Sequence, residues 1–175
     1  MIDLPATPQT VLAKVIVPAL ALLPAQMDTP PARVLLVAFG AQETGYRTRQ
    51  QQGGPAHGLW QCERPLMQLL LDNKASSAEV YALCKSRAVA PLASDMYWAL
   101  LTDDLFAAGT ARLALWCNLA PLPALGNVDA AFDYYIATWG PGAYTRGTPA
   151  ERAAIRQRFN DNYSAALAAV SGSEA

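Results

Sequence analysis

An all-α protein is what this sequence predicts, and three observations predict it. Threonine–proline pairs stand where helices would begin, at Thr7-Pro8, Thr29-Pro30 and Thr148-Pro149. Threonine caps the first free N–H groups, and proline fits the first helical position, where its missing N–H costs nothing. Apolar residues repeat at helical spacing, as in Val34, Leu35, Val37, Ala38 and Ala41. No run alternates apolar and polar residues long enough to read as a strand.

Taken in order, Thr7-Pro8 opens the first helix. The apolar stretch Val15 to Pro24 reads as core helix, kinked or stopped near Pro18, rather than as an export signal: it follows Asp3 and a single Lys14, and no clear small-x-small cleavage site precedes Gln26. It is also too short to span a bilayer, so membrane insertion is not predicted. Thr29-Pro30 opens the second helix, which stops at Gly45. Tyr46 to Leu59 is a polar, glycine-rich loop with room for a small hairpin. A helix from about Pro65 to Asn73 follows, and Ser76-x-x-Glu79 has the form of a capping box for another, to about Arg87. Further helices cover Leu92 to Leu101 and Asp104 to Trp116, until Pro121, Pro123 and Gly126 break the chain. Asn127 caps a helix holding Phe132, Tyr135, Ile136 and Trp139. After a Gly-Pro-Gly turn, Thr148-Pro149-Ala150-Glu151 joins a capping box to a first-turn proline, and its helix should reach about Val170. Residues 1–170 read as one domain, and Ser171 to Ala175 as a frayed tail.

The bulk numbers narrow the function. With 53 % apolar and 15 % charged residues, the chain has the makeup of a globular protein. A net charge of −1 argues against a binder held by nucleic-acid phosphates. Arg146, Arg152, Arg156 and Arg158 are interleaved with Glu151 and Asp161 and read as one solvated helix face. Cys62, Cys84 and Cys117 cannot all pair within one chain and read as small buried hydrophobes. The single histidine, His57, cannot build a multi-histidine zinc site and is expected at a loop or cleft rim. Gly53-Gly54 is not followed by the Gly-Lys-Ser/Thr of a phosphate loop. No metal or cofactor is predicted.

Glu43 stands out. It ends an apolar helix two residues before the stopping glycine, where the helix dipole disfavours an ionised carboxylate and raises its pKa. A carboxyl kept protonated is what a general acid for glycosidic cleavage needs. The alternative is a solvated glutamate that happens to end a helix.

The segments Gln42-Glu43-Thr44-Gly45-Tyr46 and Gly53-Gly54-Pro55-Ala56-His57-Gly58-Leu59-Trp60-Gln61 resemble the signature of lysozyme-like lytic transglycosylases. In that family a catalytic glutamate, usually followed by serine, ends a helix, and a loop then delivers Gly-Leu-Met-Gln. Here Thr44 stands for the serine and Trp60 for the methionine, with fifteen residues from Glu43 to Gly58. The stretch Tyr134 to Gly142 looks like the distal helix of phage and prophage lysozyme-like proteins. The likeness is specific over Arg33 to Glu63 and looser over Leu105 to Gly147. It implies Glu43 as the acid, with Thr44, Gly58, Leu59, Trp60, Gln61, Trp116, Asn118 and Tyr135 contacting glycan. Trp60 could pack on a sugar face or sit in the core, and Gly58 could admit a sugar or merely turn the chain. The family's Ala-Tyr-Asn element has its nearest counterpart in Leu115-Trp116-Cys117-Asn118, which lacks the tyrosine hydroxyl; Tyr135 is the candidate to supply it.

The resemblance implies cleavage of the bond between N-acetylmuramic acid and N-acetylglucosamine in peptidoglycan. A hydrolase needs a second carboxylate opposite the acid, and Glu63, Asp72, Asp95, Asp103 and Asp104 offer no recognisable partner motif. A lytic transglycosylase needs only one carboxyl. The competing expectation is a phage virion or tail protein that keeps a lysozyme-like fold with little or no activity. Either would be made in the bacterial cytoplasm, to act at the cell wall or travel in a virion.

Overall fold

The computed structural model describes residues 1–173, which form helices and turns with no strand among them. The first helical stretch comprises α1 (Pro8–Val11), a π turn (Leu12–Ile16) and α2 (Val17–Leu20). A proline inside a helix clashes with the carbonyl four residues earlier. Here the wider π turn lies just before Pro18, with the Val17 N–H reaching back to Leu12 O, so the chain stays helical past the proline to Leu20. Thr7 accepts from the Thr10 N–H, as the threonine–proline start requires.

Next come α3 (Pro30–Thr44), α4 (Arg64–Asp72), α5 (Ser77–Ser86), α6 (Ala93–Thr102), α7 (Asp104–Trp116), α8 (Val128–Trp139), α9 (Gly142–Arg146) and α10 (Pro149–Ser173). Two of these, α3 and α7, carry apolar residues on nearly every side and are buried accordingly. The expected stripe on α3 is therefore too narrow: Leu36, Phe39 and Gly40 are buried too. Helix α10 packs along α3, while α2, α5 and α6 pack on α7. One hydrophobic cluster runs from Val11 through both central helices to Val170. No helix among the described residues is long and apolar enough to cross a membrane.

Most caps follow the sequence. Thr29 accepts from Ala32, Asn127 from Ala130, and Thr148 and Glu151 bond reciprocally in the box that opens α10. The Ser76–Glu79 box does not form. Ser76 is fully buried, and its hydroxyl donates to Leu70 O at 2.9 Å, tying the end of α4 to the start of α5. The loop after α3 holds only isolated bridges, Gln50 to His57 and His57 to Cys62, in place of the small hairpin. The chain beyond Gly140-Pro141 makes the short extra helix α9. Ser171 to Ser173 continue α10 instead of fraying, and the rest of the expected tail, Glu174 and Ala175, lies outside the described residues. The late arginines occupy two helices, Arg146 on α9 and the others on α10.

Candidate functional site

Gly45, at φ +55°, ends α3 in the left-handed conformation and leaves Glu43 in its last turn. Glu43 is half-buried. The Tyr135 hydroxyl, from α8, donates to Glu43 Oε1 at 2.6 Å. Around the pair stand Phe39, edge-on to Tyr135 at 5.0 Å and to Trp139 at 5.2 Å, and Phe159, stacked on Tyr135 at 5.2 Å. Buried Gln42 fixes this corner, donating to Ile155 O and accepting from Asn162, so α10 is held against the end of α3.

Burial is the main influence on the Glu43 carboxyl and raises its pKa above the ordinary value; the Tyr135 hydrogen bond and the Arg158 charge pull the other way without prevailing. Burial and the neighbouring Glu43 charge together lift the Tyr135 phenol well above its usual range, so it acts as a fixed donor. The Cys62 thiol is pushed up to about 12, by burial first and the Glu43 charge second. Cys62 is thus an un-ionised thiol beside the acid.

A groove of about 540 Å³ adjoins this corner. Its walls come from Gln61, Cys62 and Glu63 before α4, Leu66 and Leu69 on α4, Cys117 and Asn118 after α7, and Thr138 and Trp139 at the end of α8. The acid in the groove wall is Glu63, which is exposed; Glu43 stands back from it, joined through Cys62 and the α8 aromatics. Asn118 donates to Thr138 Oγ1 at 2.7 Å and spans the groove floor between α7 and α8.

Several residues expected to touch glycan are used by the fold instead. Trp60 is fully buried and donates from Nε1 to Leu36 O at 2.8 Å, so its ring offers no open face. Leu59 is likewise buried in the core. Gly58 holds φ +77°, and a β-carbon there would come within 3.1 Å of Leu100 O, so this glycine serves a turn packed against α6. Thr44 lies within 3.1 Å of Gly40 O and 3.0 Å of Leu59 O and accepts from the Tyr46 N–H; its hydroxyl secures the loop and not Glu43. His57, expected at a rim, is 4 % exposed and stacks on Tyr97 at 3.9 Å.

Gln61 and Asn118 do line the groove, while Trp116 faces a neighbouring pocket. Cys62, Thr138 and Trp139 were not singled out from the sequence. Trp139 had the clearest signal, one turn beyond Tyr135 on the same helix face. It donates from Nε1 to Trp60 O at 2.9 Å, locking the post-α3 loop to α8. Compared with known protein families, curated proteins and solved structures, the chain matches no family model, no curated protein and no solved structure.

Proposed function

We propose that this protein cleaves peptidoglycan glycan strands with Glu43 as general acid, as the resemblance to lysozyme-like lytic transglycosylases implies. One observation carries the reading: a half-buried carboxyl at a helix C-terminus, its pKa raised by burial and one oxygen held by a phenol, beside an open groove. An acid whose pKa is raised keeps its proton to higher pH and can give it to the leaving glycosidic oxygen. Tyr135 holds Oε1 and leaves Oε2 to carry that proton. Glu43, now ionised, then takes the proton of the sugar's own 6-hydroxyl as it closes a 1,6-anhydro ring. Gln61 and Asn118 are the polar groove residues suited to an N-acetyl group. The corresponding hydrolase would draw on a second carboxylate to activate water, with Glu63 as candidate.

A second reading has its own support. Thr44, Gly58, Leu59 and Trp60 are spent on packing, and Glu43 does not line the groove. That suits a phage virion or tail protein which keeps a lysozyme-like body for assembly.

Wild type and Glu43→Gln incubated with bacterial sacculi, with released muropeptides read by mass spectrometry, separate these readings. Anhydro-muropeptides from wild type, reduced about a hundredfold or more in the variant, are the expected result. Reducing-end products assign a hydrolase. No release by either protein across pH and salt overturns the enzymatic reading and leaves the structural one.

A further inference from the structure

Arg112, in the middle of α7, is 2 % exposed. Its Nε–H donates to Met27 O at 2.7 Å, whereas Nη1 is buried with no partner among the described residues. No carboxylate there lies within ion-pair distance. Asp28, whose charge reaches it from farther away, is committed to Arg33. A guanidinium withdrawn from water without a counter-ion is costly, and burial lowers its pKa accordingly. The fold has a place where that cost can be offset. Arg112 lines a pocket of about 340 Å³ between the segment before α3 and the turn after α7. Its guanidinium lies over the Trp116 ring at 5.3 Å, and the other walls include Gln26, Asn118, Leu119 and Leu122.

From this arrangement we infer that the pocket is a binding site for a carboxylate carried on a small apolar body, such as the free C-terminus of a short peptide. The guanidinium, buried without a counter-ion at the pocket wall, supplies the charge that a carboxylate there would offset. Trp116, Leu119 and Leu122 supply apolar surface for the rest; Leu119 is fully exposed and Trp116 is 37 % exposed, although both flank a buried cation. Asn118 lines this pocket and the larger groove alike, so an occupant here adjoins whatever fills the groove. Binding at Arg112 is independent of glycan cleavage.

The test is titration of wild-type protein with N-acetyl-alanyl-alanine, its C-terminal amide and inorganic phosphate, following the Trp116 indole N–H by NMR. The free acid should produce a saturable shift, with the amide and phosphate each at least about tenfold weaker. Arg112→Gln, checked for a native spectrum, should lose the preference for acid over amide. Equal responses to acid and amide, phosphate binding as well as the acid, no saturable shift, or an undiminished preference in Arg112→Gln would each overturn the assignment.

Discussion

Asp104 and Glu43 are carboxyl groups drawn away from water at opposite kinds of helix end and with opposite provision. Asp104 opens α7 and is 1 % exposed. Arg49 grips it with two hydrogen bonds, from Nε at 2.6 Å and Nη2 at 2.7 Å, and the Ile2 N–H adds a third at 2.8 Å. The helix N-terminus adds favourable partial charge. Glu43 closes α3, where the dipole has the unfavourable sign, and receives one phenolic hydrogen bond and no ion pair among the described residues. The first arrangement pairs the carboxyl with a cation and ties the N-terminal segment and the loop around Arg49 to the central helix. The second leaves an acid under-compensated. A buried carboxyl that receives a cation is favoured in its charged form; one that receives none holds its proton more tightly.

If the contrast is right, removing the two acids has opposite consequences. Asp104→Ala leaves Arg49, 17 % exposed, without its partner and should cost about 3 kcal/mol, read from urea unfolding. A loss under about 1 kcal/mol would show that the pair contributes little. Tyr135→Phe sharpens the contrast from the other side. It removes the one hydrogen bond that favours ionised Glu43, so it should raise that pKa further and cost about 1 kcal/mol in stability.

Glu43→Gln should have the smallest effect, and its sign is the informative part. Because the folded-state pKa of Glu43 is raised, the folded protein holds this proton more tightly than the unfolded chain. Below the unfolded value both states are protonated and there is no penalty. As pH climbs through the folded value the carboxylate forms in a poor setting and stability falls. The variant should therefore match wild type near pH 4 and exceed it at pH 8, in urea midpoints taken at both. A variant less stable than wild type at pH 8 would mean that ionised Glu43 is well served by its surroundings.

Much of the frame was legible from the sequence because caps and breakers act locally. Thr7, Thr29, Asn127 and the Thr148–Glu151 box each act within one turn of their own chain. Ser76 failed as a cap because its hydroxyl found a buried carbonyl on the preceding helix, which local spacing does not reveal. The site divides along the same line. Glu43 could be placed at a helix end from Gly45 alone, whereas Tyr135, 92 residues away on α8, was offered only by the family resemblance, and its bond to Glu43 is a matter of packing. The Gly58-Leu59-Trp60 motif looked like a ligand surface, yet Trp60 meets Leu36 on the inside of α3 and Gly58 meets α6. Arg112 was illegible for a related reason. An arginine within an apolar run gives no sign of what it faces, and only the fold shows a buried guanidinium with a free nitrogen beside a pocket.

Proton transfer by Glu43 requires a proton held more tightly than usual. Carbon-13 labelling of glutamate side chains, with the Glu43 resonance assigned by its absence in Glu43→Gln, allows direct titration by NMR. The expected midpoint lies above the ordinary glutamate value of 4.5 and moves higher still in Tyr135→Phe. A midpoint at or below that value would contradict it, and Glu43 would then be an ordinary ionised residue at the end of a buried helix.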